Sequence, residues 1–166
     1  MAEPLLIMRH GQAEPGFPDP DRRLSRKGEK EARRMGRWLA KRKDLDIARL
    51  RLVASPYVRA QQTAALVADA LADRSGSEPD IDTLELITPD DSPQLVIDWL
   101  LGEDDDCPLL LVSHMPLVAA LTGMLIEGRS DAGIGFSTAA IAELHADVRA
   151  AGCSRLVGLM SPSQLK

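Results

Sequence analysis

The sequence predicts an α/β fold: three layers, α/β/α, with a mainly parallel sheet between two sets of helices. Three observations predict it. Leu5 to Met8, Leu50 to Ala54 and Pro108 to Val112 are short, mostly apolar runs of strand length, the pattern of strands covered on both faces. Stretches with helical periodicity stand between them, which implies crossovers and parallel pairing. Each run also ends in polar residues: Arg9-His10-Gly11, Ser55-Pro56-Tyr57-Val58-Arg59 and Ser113-His114.

The first strand is followed by a loop, Gln12 to Arg23, rich in Pro, Asp and Gly. Ser25 reads as a helix N-cap. The helix it opens runs from Arg26 to about Lys43, with Ala32, Met35, Gly36 and Leu39 at helical spacing and Arg and Lys opposite. After the strand Leu50 to Ala54, a second helix is expected from Tyr57 to about Ala72, burying Ala60, Ala64, Val67 and Leu71. Asp73 to Asp80 is a loop, and Ile81 to Ile87 a strand with only partial alternation. Ser92-Pro93 opens a third helix through Leu101, and Gly102 to Asp106 is an acidic turn. The strand Pro108 to Val112 leads to a helix from Pro116 to near Gly128, then a loop from Arg129 to Gly135. Thr138 to Leu144 and Arg155 to Met160 read as two final strands forming a hairpin at the sheet edge. Trp38 and Trp99 read as core packing.

Length and composition narrow the function classes. The 166 residues suit one domain spanning 1–166. A net charge of −5 argues against an electrostatic nucleic-acid binder. Met1-Ala2-Glu3-Pro4 is not the start of a signal peptide, and no apolar run is long enough to span a bilayer, so a cytoplasmic protein with no membrane partner is expected. Cys107 and Cys153 have no C-x-x-C spacing and read as reduced thiols. With three histidines and two scattered cysteines, no metal site and no cofactor are expected.

In such a sheet, ligands bind outside the carboxyl ends of the strands. That places Arg9, His10, Arg59 and His114 on one edge. Arginine forks bind phosphate oxygens bidentately, a neutral imidazole can attack phosphorus, and a second, donating histidine can stabilise charge on the equatorial oxygens. Singly, each residue has a plainer reading. His114 serves equally to bond the backbone, Arg59 in a first helical turn is a solvated charge, and Arg22 and Arg23 are loop charges. A cation at a helix N-terminus is electrostatically odd, and a phosphate shared by the helix end and Arg59 would resolve that. His145 is assigned no role.

At these residues the sequence resembles the histidine phosphatase superfamily, which includes the phosphoglycerate mutases. The resemblance rests on Arg9-His10-Gly11, on Ser55-Pro56 with Arg59-Ala60 and Gln62-Thr63, and on Ser113-His114 followed by Pro116. Within that superfamily it most resembles the small bacterial phosphohistidine phosphatases of the SixA type. Arg22-Arg23-Leu24-Ser25, Thr88-Pro89, Val112 to Val118, Phe136 to Ala142 and Met160-Ser161-Pro162 support this, so the resemblance spans nearly the whole chain. Arg23 stands where such proteins often have proline. The resemblance implies a phosphoglycerate mutase-like fold, His10 as the phosphorylated nucleophile, Arg9 and Arg59 as a clamp on the phosphoryl group, His114 as a donor to it and Arg22 as a further substrate contact. It also implies, as substrate, a phosphorylated histidine-containing phosphotransfer domain of a sensor kinase. A monomer is expected.

The leaving group separates the readings. Superfamily members that cleave phosphate esters often use a carboxylic acid to protonate the departing oxygen. Here Glu85, Asp90 and Asp91 are the candidates, and none has a telling context. An imidazole protonates near neutral pH and leaves without a placed acid, which favours a phosphohistidine substrate. The short stretch between the second helix and His114 leaves no room for a lid, which suits a phosphohistidine presented by another protein. The alternatives are a phosphatase or mutase acting on small phosphate esters, and a non-catalytic phosphate-binding module.

Overall fold

The computed structural model describes residues 1–165. Among them are six strands and four α-helices: β1 (Leu5–Arg9), α1 (Arg26–Ala40), β2 (Arg51–Ala54), α2 (Val58–Ser75), β3 (Ile81–Thr83), α3 (Pro93–Gly102), β4 (Leu109–Ser113), α4 (Leu117–Glu127), β5 (Ile141–His145) and β6 (Arg155–Met160). The sheet order is β3-β2-β4-β1-β5-β6. The first four strands are mutually parallel; β5 pairs antiparallel with β1, and β6 antiparallel with β5, so only β5 runs against the rest. The expected α/β architecture with a mainly parallel sheet is what forms.

Side chains alternate across the sheet and build a core on each face. Leu6 and Met8 of β1, with Leu52, Leu110 and Val112, meet Met35 and Leu39 of α1 and Ala64, Val67 and Leu71 of α2. Leu5 and Ile7, with Val53, Leu109 and Leu111, meet Val96, Ile97 and Leu100 of α3 and Val118, Leu121 and Leu125 of α4. Each such buried aliphatic side chain contributes about 2 kcal/mol of transfer free energy. Gly36 sets the approach of α1 to α2: a Cβ there would lie 2.9 Å from the Ala70 Cβ and 3.0 Å from the Val67 Cα. Trp38 and Trp99 are partly buried against these cores, and both cysteines are free.

Four boundaries differ from expectation. The first helix stops at Ala40 rather than near Lys43, because Arg42 turns away to pair with Asp44 and Glu143. The second runs past Ala72 to Ser75 and closes on Gly76 at φ 81°, a left-handed C-cap. The strand expected over 81–87 ends at Thr83. Glu85–Ile87 is instead a 3₁₀ turn that buries Ile87, whose carbonyl accepts the Ser113 hydroxyl at 2.8 Å. The strand expected from Thr138 starts at Ile141, because Ala139 adopts φ 62°. The expected hairpin forms at a sheet edge: β5 pairs with β1, and β6 is the outer strand. Among the described residues no helix is long and apolar enough to cross a membrane.

Candidate active site

The register of three parallel strands sets the site. Arg9 of β1 pairs with Ser113 of β4, and Ala54 of β2 with Val112. The residues that follow therefore leave the sheet side by side. The His10 N–H donates to the Ser113 carbonyl and the Ser55 N–H to the Val112 carbonyl, each at 3.0 Å. His10 and His114 meet with ring centroids 5.0 Å apart, and Tyr57 stands edge-on to His114 at the same separation.

Each imidazole is fixed at one nitrogen. His10 Nδ1 lies 2.6 Å from the Gly11 carbonyl oxygen, which can only accept, so Nδ1 carries the proton and Nε2 presents its lone pair. The Arg59 Nε–H faces that lone pair at 3.3 Å. His114 Nε2 lies 2.8 Å from Ser55 Oγ, which already accepts the Tyr57 N–H at 3.2 Å. The Ser55 hydroxyl proton is thus free to donate to Nε2, and this tautomer puts the proton of His114 on Nδ1. That Nδ1 is buried without a hydrogen-bond partner, as is Arg9 Nε.

The arginines are built in rather than solvated. Arg59, in the first turn of α2, is only 4% exposed. Its fork donates to the Asp19 carbonyl at 2.8 Å and to Asp19 Oδ2 at 3.1 Å. Asp19 Oδ1 accepts from Arg22 at 3.1 Å, and Arg22 Nε donates to the Glu14 carbonyl, so Asp19 joins both arginines at the rim. Arg9 donates to the Phe136 carbonyl at 2.8 Å. Glu31 accepts the Gln12 N–H and the Thr138 hydroxyl, tying the turn after β1 to the loop that holds Arg9.

The Gln62-Thr63 pair also has a mechanical role. Thr63 Oγ1 donates to the Arg59 carbonyl and accepts the Gly11 N–H, while Gln62 accepts the Leu24 N–H. One turn of α2 thereby fastens both the turn after His10 and the loop that carries Asp19. The start of α1 is pressed against the same turn, since a Cβ on Gly28 would lie 1.9 Å from the Gln12 carbonyl oxygen.

Burial, then the positive charges of Arg59, Arg9 and Arg22, push the His10 imidazole down to about 4 against the opposing hydrogen bond to Gly11. Burial, then His10 and Arg59, push His114 down to about 3. Both are neutral at pH 7. Burial also lowers Arg9, opposed by Glu31. Burial alone would raise Asp19, but hydrogen bonds from Arg22 and Arg59 outweigh it and hold the carboxyl below the usual carboxylate range. The site therefore offers one nucleophilic lone pair, guanidinium forks and a neutral N–H donor, a set suited to a tetrahedral oxyanion.

All four expected residues, Arg9, His10, Arg59 and His114, come together, and Arg22 reaches the rim. Asp91 accepts both the Thr88 N–H and hydroxyl, at 2.8 and 2.6 Å, while Glu85 and Asp90 are exposed. His145 sits at the opposite end of the sheet, paired with Glu143. Asp19 and Glu31 were not anticipated. The three-residue spacing of Asp19 and Arg22 is the only sequence signal for the former.

Known proteins resemble this chain in sequence and fold. Residues 5–85 match the model of the histidine phosphatase superfamily, branch 1. The phosphohistidine phosphatase SixA homolog of Haemophilus influenzae is 38% identical over 145 residues, covering 84% of this chain and 86% of that protein. Phosphohistidine phosphatase SixA of Escherichia coli is 34% identical over 165 residues, covering 98% and 96%. A solved structure of the protein histidine phosphatase SixA complexed with tungstate superposes with a TM-score of 0.83 at 32% identity, covering 98% of this chain and 99% of that one. A fold of this order, the site at its strand ends and relatives matched over most of their length together place the chain in the histidine phosphatase superfamily, with its phosphoglycerate mutase-like fold.

Proposed function

We propose that the protein is a phosphohistidine phosphatase acting on a phosphorylated protein through a phospho-His10 intermediate. The observation that carries this reading is the His10 tautomer. Nδ1–H is spent on the Gly11 carbonyl, and the Nε2 lone pair is directed at the guanidinium of Arg59, where a phosphoryl group would be held. The relatives named phosphohistidine phosphatases support the substrate class.

In the proposed reaction Arg9 and Arg59 hold the phosphoryl oxygens, and His114 Nδ1–H donates to one of them. Neutral His10 Nε2 attacks phosphorus in line. The substrate's P–N bond breaks, and its imidazole, protonated on the ring nitrogen remote from phosphorus, departs as a neutral molecule. Water then attacks phospho-His10, the P–Nε2 bond breaks, and inorganic phosphate leaves. Departure of imidazole requires no placed carboxylic acid. The carboxylate nearest Arg59 belongs to Asp19, which two arginines keep ionised and unfit to give a proton. That favours cleavage of P–N over P–O bonds.

A histidine-containing phosphotransfer domain is the expected substrate, with the enzyme acting as a cytoplasmic monomer. The test compares release of phosphate from such a phosphorylated domain and from simple phosphate monoesters. The reading predicts turnover of the former at least a hundredfold more efficient, abolished by His10→Ala. Preference for monoesters would overturn it.

A further inference from the structure

The charge of this chain is divided in space. Between Arg26 and Lys43, nine Lys and Arg stand against two Glu, a net of +7, while the rest of the chain carries −12. The apolar side of α1 is buried through Ala32, Met35 and Leu39, so the charge is carried by its outer face. Lys27, Lys30, Arg33, Arg34, Arg37 and Lys41 are all exposed there. Glu29 pairs with Arg33 at 3.9 Å, and Glu31 is engaged by Gln12 and Thr138. Among the described residues, Lys27, Lys30, Arg37 and Lys41 have no carboxylate partner within 4.0 Å.

This face is grooved and runs up to the catalytic edge. A cleft of about 430 Å³ is lined by Lys27, Lys30, Glu31, Arg34, Thr138 and Pro162. Its Glu31 and Thr138 are the residues that fix the turn after His10. A second cleft of about 280 Å³, between Arg34, Arg37, Trp38 and Lys41, continues along the helix. Unpaired cations crowded on one helix of an acidic protein repel one another, and an anionic partner relieves that repulsion. The strip is one helix wide and flanked by a molecule that is otherwise negative. It fits the acidic face of a folded protein better than a broad polyanion such as a membrane or a nucleic acid.

We propose that the outer face of α1, from Lys27 to Lys41, docks an acidic surface of the phosphoprotein while its phosphohistidine reaches His10. The proposal rests on the phosphohistidine phosphatase reading and deepens it: the catalytic pocket supplies the chemistry, and α1 selects the protein. Complementary charge of this kind acts mainly on association, so its signature is salt-sensitive kcat/KM toward protein substrates alone.

The test uses two substrates, a phosphorylated histidine-containing phosphotransfer domain and free N-phosphohistidine. Wild-type turnover of the phosphorylated domain is measured first; its absence would overturn the functional reading and the docking proposal with it. Charge reversal of three residues outside the pocket, Lys27→Glu, Lys30→Glu and Arg37→Glu together, is expected to lower kcat/KM for the domain about tenfold or more at 50 mM salt. Free N-phosphohistidine should be hydrolysed as by wild type, which also shows that the variant is folded. Poly-L-glutamate should inhibit turnover of the domain only, and Arg129→Glu, at the far end of α4, should change neither substrate. Equal loss on both substrates, or none on the domain, would overturn the proposal. So would an unchanged domain reaction alongside wild-type binding to anionic phospholipid vesicles that the triple variant loses, which would assign the face to a membrane.

Discussion

Arg59 is shared between His10 and Asp19: its Nε faces the His10 lone pair at 3.3 Å, while its two terminal nitrogens reach the Asp19 carbonyl and carboxylate at 2.8 and 3.1 Å. The carboxylate stands beside a guanidinium that the proposed reaction requires for phosphoryl oxygens. A phosphate dianion and Asp19 therefore compete for the same charge. Asp19→Asn is expected to strengthen inhibition by inorganic phosphate about three- to tenfold, because it removes a negative charge and keeps a hydrogen-bonding side chain. Weaker inhibition would mean that Asp19 chiefly positions Arg59.

Ser55 is expected to act through His114. With its hydroxyl donating to Nε2, the His114 proton stays on Nδ1, the buried atom that has no partner in the protein. Ser55→Ala should lower kcat about tenfold with little change in KM. In the His114→Ala background the same substitution should cost almost nothing, because the two act as a unit. Additive losses would separate them.

Protonation of the two histidines gives a stability prediction. Their folded values, about 4 for His10 and about 3 for His114, lie below the ~6.5 of an unfolded histidine. Between these limits the unfolded chain binds more protons than the folded one, so stability rises with pH across the window and is lost as pH falls below about 6.5. Urea midpoints should drop from pH 7.5 to pH 5, and less steeply in His10→Gln and His114→Gln. An unchanged slope in both variants would contradict burial of neutral imidazoles. By the same argument, protonation of His10 should not produce an acid limb near 6.5 in kcat/KM.

Glu85 tests the leaving-group argument. It is exposed, on the 3₁₀ turn beside β4. Glu85→Gln should leave phosphohistidine hydrolysis within about twofold of wild type, since a departing imidazole carries its own proton. Loss of that activity would make Glu85 a general acid.

Much of the site was legible because parallel strands place their carboxyl ends together. Arg9-His10, Ser55 and Ser113-His114 each follow an apolar run, and the register of β1, β2 and β4 converts three distant stretches into one pocket. The parts that were not legible depend on loop closure. Asp19 lies in a polar, proline-rich loop, and its role depends on that loop closing onto α2, where Gln62 holds Leu24 and Arg59 reaches Asp19 itself. Glu31 looks like any helical surface carboxylate until Gln12 and Thr138 converge on it. The strand expected over 81–87 breaks before Glu85, because partial alternation carries no sign that Ile87 turns inward beneath Ser113. Likewise, no glycine marks the left-handed residue at Ala139 that delays β5.

The central claim is that phosphorus passes through Nε2 of His10. Its most direct measurement is a rapid-quench incubation with a ³²P-labelled histidine-containing phosphotransfer domain, followed by digestion and mapping of the protein-bound label. The account predicts acid-labile, base-stable phosphate on the peptide that contains His10, rising and decaying with turnover and absent in His10→Ala. Turnover without any label on that peptide, or label on another residue while His10→Ala stays active, would contradict it.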